Sequence, residues 1–170
     1  MKILKFGGTS VGSPKVIKQL IEIVKKSQIE NGKIAIVVSA FSKTTDQLIM
    51  VSQMAETGNQ DYKKELDLIK KRHLSAAKEL IPSKKKAKGI KAVNNLLTEL
   101  ENVLQGIYLI KEATKRTLDL AMSFGERLSA YIISEALDAE FLDSRSLVKT
   151  DDNFGYARIQ FEKTYKNIQE

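Results

Sequence analysis

A three-layer α/β fold is predicted by the first forty residues, on three observations. Lys2–Phe6 is a short, mostly apolar run that ends at a glycine pair. Ser13-Pro14 then reads as a helix N-cap followed by a first-turn proline, and Val16, Ile17, Leu20, Ile21 and Val24 recur at helical spacing through about residue 28. After a turn at Asn31-Gly32, the β-branched run 33–39 (KIAIVVS) has the character of a buried parallel strand. Strand, helix, strand with short connections is a βαβ unit. Its two strands are expected side by side and parallel, joined by a right-handed crossover.

Helices dominate the rest of the chain. A helix capped by Thr44 or Thr45 carries Leu48, Val51 and Ala55 and ends at Gly58. A second, from Asp61 to about Leu80, sets Tyr62, Leu66, Ile69 and Leu74 on one side, and Ile81-Pro82-Ser83 breaks it. A third, from Ile90 to about Ala113, carries Val93, Leu96, Leu97, Leu100, Val103, Leu104, Ile107 and Tyr108. A fourth runs from Glu126 to about Leu137. Residues 139–144 (AEFLDS) are expected as a third parallel strand, 151–161 as a hairpin around Asn153-Phe154-Gly155, and 164–170 (TYKNIQE) as a helix. No internal repeat, low-complexity linker or second domain interrupts the pattern.

Composition removes whole classes of function. The chain has 170 residues, 42% hydrophobic and 29% charged, which suits a globular protein with a real core. Without cysteine there is no disulfide framework, thiolate metal site or cysteine nucleophile. One histidine, His73, cannot build a histidine-rich metal site; in the run KKRH it reads as a surface residue. No apolar run is long enough to span a membrane, and the N-terminus lacks a signal-peptide core, so a cytoplasmic protein is expected. The formal charge of +7 attracts anions. Its densest run, Lys84, Lys85, Lys86 and Lys88 with Lys91 beyond, lacks the interleaved aromatics of a single-strand platform, so it reads as a solvated helix start or loop rather than a nucleic-acid footprint.

The chemistry lies in the loop Gly7-Gly8-Thr9-Ser10-Val11-Gly12, between the first strand and its helix. Successive backbone N–H groups and a helix N-terminus in that position suit an anion such as phosphate. The loop is neither a Walker A sequence nor GxGxxG. A glycine pair there is also compatible with a tight turn alone. Lys5 stands at the strand's end, toward the carboxyl edge of the sheet where α/β ligands bind. Thr9 and Ser10 add hydroxyls that either donate to phosphate or cap the helix.

Lys5-Phe6-Gly7-Gly8-Thr9-Ser10-Val11 resembles the N-terminal signature of the aspartokinases, within the amino-acid kinase superfamily. Val37-Val38-Ser39-Ala40 with Thr44-Thr45-Asp46-Gln47-Leu48 resembles the family's second strand and threonine loop. Ser123-Phe124-Gly125-Glu126-Arg127-Leu128-Ser129 resembles its S-x-GE-x-x-S motif. Asp143-Ser144-Arg145, Lys149-Thr150-Asp151 and Phe154-Gly155 continue the pattern. The resemblance implies a sandwich of helices on both faces of a mainly parallel sheet. It implies transfer of the γ-phosphoryl group of ATP, carried with Mg2+, to the side-chain carboxylate of L-aspartate, giving 4-phospho-L-aspartate on the way to lysine, threonine and methionine. Another amino-acid kinase, or a non-catalytic phosphate- or nucleotide-binding module, is the alternative.

In that resemblance Lys5 is the catalytic residue, on the transferring phosphoryl group, and binds phosphate with Gly7, Gly8, Thr9 and Ser10. The glycines let backbone approach the oxygens, which a Cβ would hold away. Ser39 and Thr45 match positions lining the aspartate pocket, and Thr45 equally suits an N-cap. Glu126 matches the glutamate facing the substrate, whose ammonium it would pair. Ser123-x-x-Glu126 is also a capping box, which would turn Glu126 back onto its own helix. Arg127 either orients Glu126 or pairs elsewhere. No metal-ligand set is expected. After Gly155 nothing matches the family's later strands, its substrate-binding arginine and catalytic aspartate, or its adenine pocket. The resemblance therefore implies that residues 1–170 are the N-terminal part of a catalytic domain, a truncated form of the fold without the C-terminal kinase half or ACT regulatory domains. Such a piece is expected to be inactive alone and to self-associate through an open sheet edge. Neither a nucleic-acid nor a membrane partner is expected.

Overall fold

The computed structural model describes residues 1–169. β1 (Lys2–Phe6) and β2 (Ile34–Val38) pair in parallel, with Lys2 opposite Ile34 and Phe6 opposite Val38. The expected βαβ unit is thus present, with α1 (Pro14–Asn31) as its crossover. Ser13 precedes Pro14 as the N-cap, although its side chain makes no capping bond. Side chains alternate across the sheet. Leu4, Phe6, Ile36 and Val38 pack on the core, whereas Ile3, Lys5 and Val37 turn away from it; Ile3 is 64% and Val37 49% exposed. Among the described residues, the sheet face that bears Ile3, Lys5 and Val37 is thus largely exposed.

Beside the sheet lies a helical body of α2 (Thr44–Glu56), α3 (Tyr62–Leu80), α4 (Ser83–Ile110) and α5 (Lys115–Leu137). Each contributes a stripe at alternating three- and four-residue spacing. On α4 the stripe is Val93, Leu97, Leu100, Leu104 and Ile107; on α3 it is Tyr62, Leu66, Ile69, His73, Ala76 and Leu80. Burying a stripe residue of the Leu or Ile type is worth about 1.5–3 kcal/mol. The lysine-rich run forms the exposed first turns of α4, where Lys85 pairs with Asp138 and Glu135.

Several boundaries differ from expectation. α5 begins at Lys115, not Glu126: Thr114 is its N-cap and accepts from the Thr117 N–H at 3.2 Å. α2 is entered through Lys43, at φ 65°, and neither Thr44 nor Thr45 serves as the cap. Residues 139–144 form no strand. Asp138 ends α5 in a left-handed conformation, and the Ala139 N–H is spent on the Ser134 carbonyl at 2.9 Å. At the other end Asp143 caps the short α6 (Ser144–Leu147). Both ends of the segment are thereby committed, and a groove separates it from β2. The expected hairpin is reduced to one antiparallel bridge, Thr150 with Ile159, and α7 (Phe161–Gln169) closes the described chain. Glu170, the last residue of that expected helix, lies outside the described residues. No described helix is long and apolar enough to cross a membrane.

Candidate phosphate loop and carboxylate site

The loop after β1 folds into a 3₁₀ turn at Gly8–Val11, closed by Ser10 N–H to the Gly7 carbonyl at 2.9 Å. Thr9 and Ser10 therefore lie in this turn and cap no α-helix. Lys5 is exposed at the carboxyl end of β1, opposite Val37, and has no ion-pair partner among the described residues. Its ammonium is free to meet an anion. A Cβ on Gly7 would meet nothing within 4 Å, so that position is open to an incoming group.

The loop after β1 and helix α5 converge on Ala40, just past β2. Gly8 abuts it from the loop after β1: a Cβ on Gly8 would stand 3.5 Å from the Ala40 carbonyl oxygen. Gly125 abuts it from α5, where a Cβ would stand 2.8 Å from the Ala40 Cβ, closer than carbon atoms pack. Only glycine lets α5 come this near. The Ala40 N–H points to Glu126 Oε1 at 3.4 Å. Ser129, one turn further along α5, donates its hydroxyl to the Ser39 carbonyl at 2.6 Å.

This geometry overturns the capping box. Ser123 and Glu126 lie inside α5, not at its start; the Ser123 hydroxyl bonds back to the Leu120 carbonyl at 2.7 Å, while Glu126 faces the Ala40 loop. Glu126 borders a cleft of about 390 Å³ with Val37, Ser123, Arg127, Asp143 and Arg145. Ser39 and Thr45 lie outside that lining: Ser39 extends β2 through its N–H to the Phe6 carbonyl at 3.1 Å, and Thr45 is half-buried in the first turn of α2. The structure thus joins Gly8, Ser39 and Glu126 through one loop and keeps Thr45 at its far end.

Arg127 pairs elsewhere than Glu126. Its guanidinium lies 4.6 Å over the Phe124 ring, reaches Glu99 of α4 at 3.2 Å and Asp143 at 3.3 Å. Asp143 is further held by the fork of Arg145, at 2.9 and 2.7 Å, which keeps its carboxyl below the usual carboxylate range. Among the described residues no cluster of histidine, cysteine or carboxylate residues could hold a metal ion.

Two residues escaped sequence reasoning. His73 is not on the surface. It is fully buried, stacked flat on Phe41 at 4.8 Å, with Nδ1 on the Ile69 carbonyl at 2.8 Å. Burial pushes its pKa down to about 4. Its signal was the α3 stripe, on which it falls four residues after Ile69 and three before Ala76. Arg72, its neighbour, donates to the Ser42 carbonyl at 2.7 Å and to the Gly12 carbonyl at 2.9 Å. A hydrogen bond from a side chain to a distant carbonyl has no sequence signal.

The chain is similar to other proteins in both sequence and fold. Aspartokinase 1, chloroplastic, of Arabidopsis thaliana is 33% identical over 162 residues, which are 88% of this chain and 27% of the relative. Aspartokinase 3, chloroplastic, of the same plant is 32% identical, over 98% of this chain and 30% of the relative. The crystal structure of E. coli aspartokinase III in complex with aspartate and ADP superposes with a TM-score of 0.85 at 21% identity, over 99% of this chain and 37% of that one. The fold is accordingly the α/β fold of an amino-acid kinase, and the chain spans about a third or less of the length of the curated relatives it matches. The model of the Amino acid kinase family matches residues 1–170, and the chain belongs to that family.

Proposed function

We propose that this chain is the N-terminal part of the catalytic domain of an aspartokinase. In this reading the whole cytoplasmic enzyme transfers the γ-phosphoryl group of ATP to the side-chain carboxylate of L-aspartate. The convergence on Ala40 carries the reading. A loop with a free lysine and an open glycine, suited to phosphate, touches the same residue as a carboxylate, suited to an ammonium. A substrate bearing both a phosphoryl acceptor and an ammonium needs those two groups close together. The named relatives, which are aspartokinases, support aspartate as that substrate.

In the step, a bond forms between the γ-phosphorus and an oxygen of the aspartate side chain. The bond from phosphorus to the oxygen bridging the β-phosphate breaks, and ADP leaves with that electron pair. Phosphoryl transfer asks the protein mainly for positioning and charge neutralisation. Lys5 balances charge on the phosphoryl oxygens. Gly7 and Gly8 admit those oxygens to the backbone, and Thr9 and Ser10 offer hydroxyl donors. Glu126 holds the aspartate ammonium, and Ser39 and Thr45 hydrogen-bond its carboxylates. Magnesium enters with ATP as part of the substrate, carried on the phosphate oxygens.

The test is ADP release by the purified full-length enzyme with MgATP and L-aspartate. Aspartate-dependent turnover is expected, and none from residues 1–170 alone. Turnover that needs glutamate or a carbamate instead would assign a different amino-acid kinase. Nucleotide binding without turnover by the full-length protein would leave a binding module.

A further inference from the structure

We infer that Arg72, far from the sequence motifs, is a positioning residue for phosphoryl transfer: it locks the phosphate loop to the loop after β2. This rests on the aspartokinase reading of the site. One guanidinium reaches both loops, through Nη2 to Gly12 and Nη1 to Ser42. The loops already abut there, since a Cβ on Gly12 would stand 3.3 Å from the Ser42 Cβ. Gly12 closes the turn that begins at Gly8, and Ser42 lies two residues beyond Ala40. The loops are therefore joined twice, by direct contact at Gly8 and Ala40 and by Arg72 at Gly12 and Ser42.

The clamp is built, not incidental. Arg72 is half-buried, its guanidinium carbon lies 5.8 Å from the Phe41 ring centroid, and Phe41 is itself sandwiched against His73. Two carbonyls and an aromatic face match a planar, fork-shaped donor, whereas the three donors of a lysine ammonium radiate from one nitrogen and offer neither the fork nor a plane to stack. Fixing the Ser42 carbonyl also fixes the plane of the following peptide. That peptide leads into Lys43, whose left-handed backbone is costly for a side-chain-bearing residue and needs such support. Arg72 touches neither proposed substrate group. Its influence is on the separation of the phosphate loop from Ser39, Thr45 and Glu126, and a misplacement of about 1 Å in such a site can cost about 100-fold in rate.

The test uses Arg72→Lys and Arg72→Met in the full-length enzyme. Hydrogen exchange is followed in the ligand-free protein, and kcat and both KM values with MgATP and aspartate. In Arg72→Met, exchange should quicken about tenfold or more over residues 8–13 and 40–45 and stay unchanged over 93–107 of α4. Its kcat should fall about 10–100-fold with each KM within about threefold. Arg72→Lys should recover part of kcat, and should fold should the methionine variant not. A kcat within threefold of wild type in both variants would overturn the inference. So would faster exchange across α4 as well, which marks general destabilisation, or a rise in KM alone. Wild-type enzyme without aspartate-dependent turnover would instead refute the aspartokinase reading, and exchange would then decide alone whether Arg72 ties the loops.

Discussion

Replacing Gly125 by alanine would press a methyl group into the junction between α5 and the Ala40 loop. The new Cβ would lie 2.8 Å from the Ala40 Cβ, 3.4 Å from Leu48 Cδ1 and 3.6 Å from Thr44 Cγ2. Carbon atoms pack best at about 3.5–4.0 Å, so α5 or the loop must shift by nearly 1 Å. Such overpacking costs about 1–3 kcal/mol. Alanine is better than glycine inside a helix by about 1 kcal/mol, which offsets part of this. Gly106, inside α4, isolates that offset, because a Cβ there meets nothing within 4 Å. Gly106→Ala should therefore stabilise by about 1 kcal/mol and Gly125→Ala should stabilise nothing. The gap between the two variants is about 1–3 kcal/mol, which for a chain of this size separates their melting temperatures by about 2–12 °C. Thermal unfolding followed by circular dichroism measures it. Equal melting temperatures in the two variants would refute the close approach of α5 to Ala40.

Three further outcomes are expected. Lys5→Ala in the full-length enzyme should lower kcat about 10²–10³-fold, by analogy with removing one preorganised donor, and change the aspartate KM far less; steady-state kinetics within threefold of wild type would make Lys5 a surface lysine. Glu126→Gln keeps an oxygen for the Ala40 N–H but loses the charge, so the aspartate KM should rise while the melting temperature stays nearly constant; a lower melting temperature with normal kinetics would assign Glu126 a structural role. His73 is depressed to about 4 in the folded state against 6.5 unfolded, so the unfolded chain takes up its proton first as pH falls; its contribution is full above about pH 6.5 and is lost toward pH 4, on the order of 2 kcal/mol between pH 7 and 5. Urea denaturation across that range should show a steeper pH dependence for wild type than for His73→Gln, and equal slopes would remove His73 as the cause.

The βαβ unit was legible because its signals are local. A β-branched run, an Asn-Gly turn and a Ser-Pro helix start each specify their own geometry, and all three agree. The helical stripes were legible for the same reason, and the α3 stripe even contained His73. There the basic composition of KKRH outweighed a register that places the imidazole four residues from Ile69. The start of α5 was obscured by competition between two caps. Ser123-x-x-Glu126 is a good capping box on paper, and Thr114 wins because the apolar register of Ala121, Phe124 and Leu128 already runs through it. Residues 139–144 have a strand's composition, but a strand exists only where a neighbour accepts its ladder, and composition does not encode the neighbour.

The site was legible only in part, and the division has a physical cause. Lys5, Gly7, Gly8 and Glu126 stand out because their residue types are hard to replace at those points. What assembles them is written in backbone atoms. The Ala40 N–H, the Ser39 and Ser42 carbonyls and the Gly12 carbonyl are the acceptors and donors on which Glu126, Ser129 and Arg72 close. Any residue type offers those carbonyls, so the loop sequence 39–43 gives no warning that three side chains from two helices are anchored to it. Gly125 is the exception, where assembly and sequence meet: its missing side chain both completes a motif and sets the distance between helix and loop. A glycine in mid-helix costs about 1 kcal/mol, and the contact with Ala40 is what that cost secures.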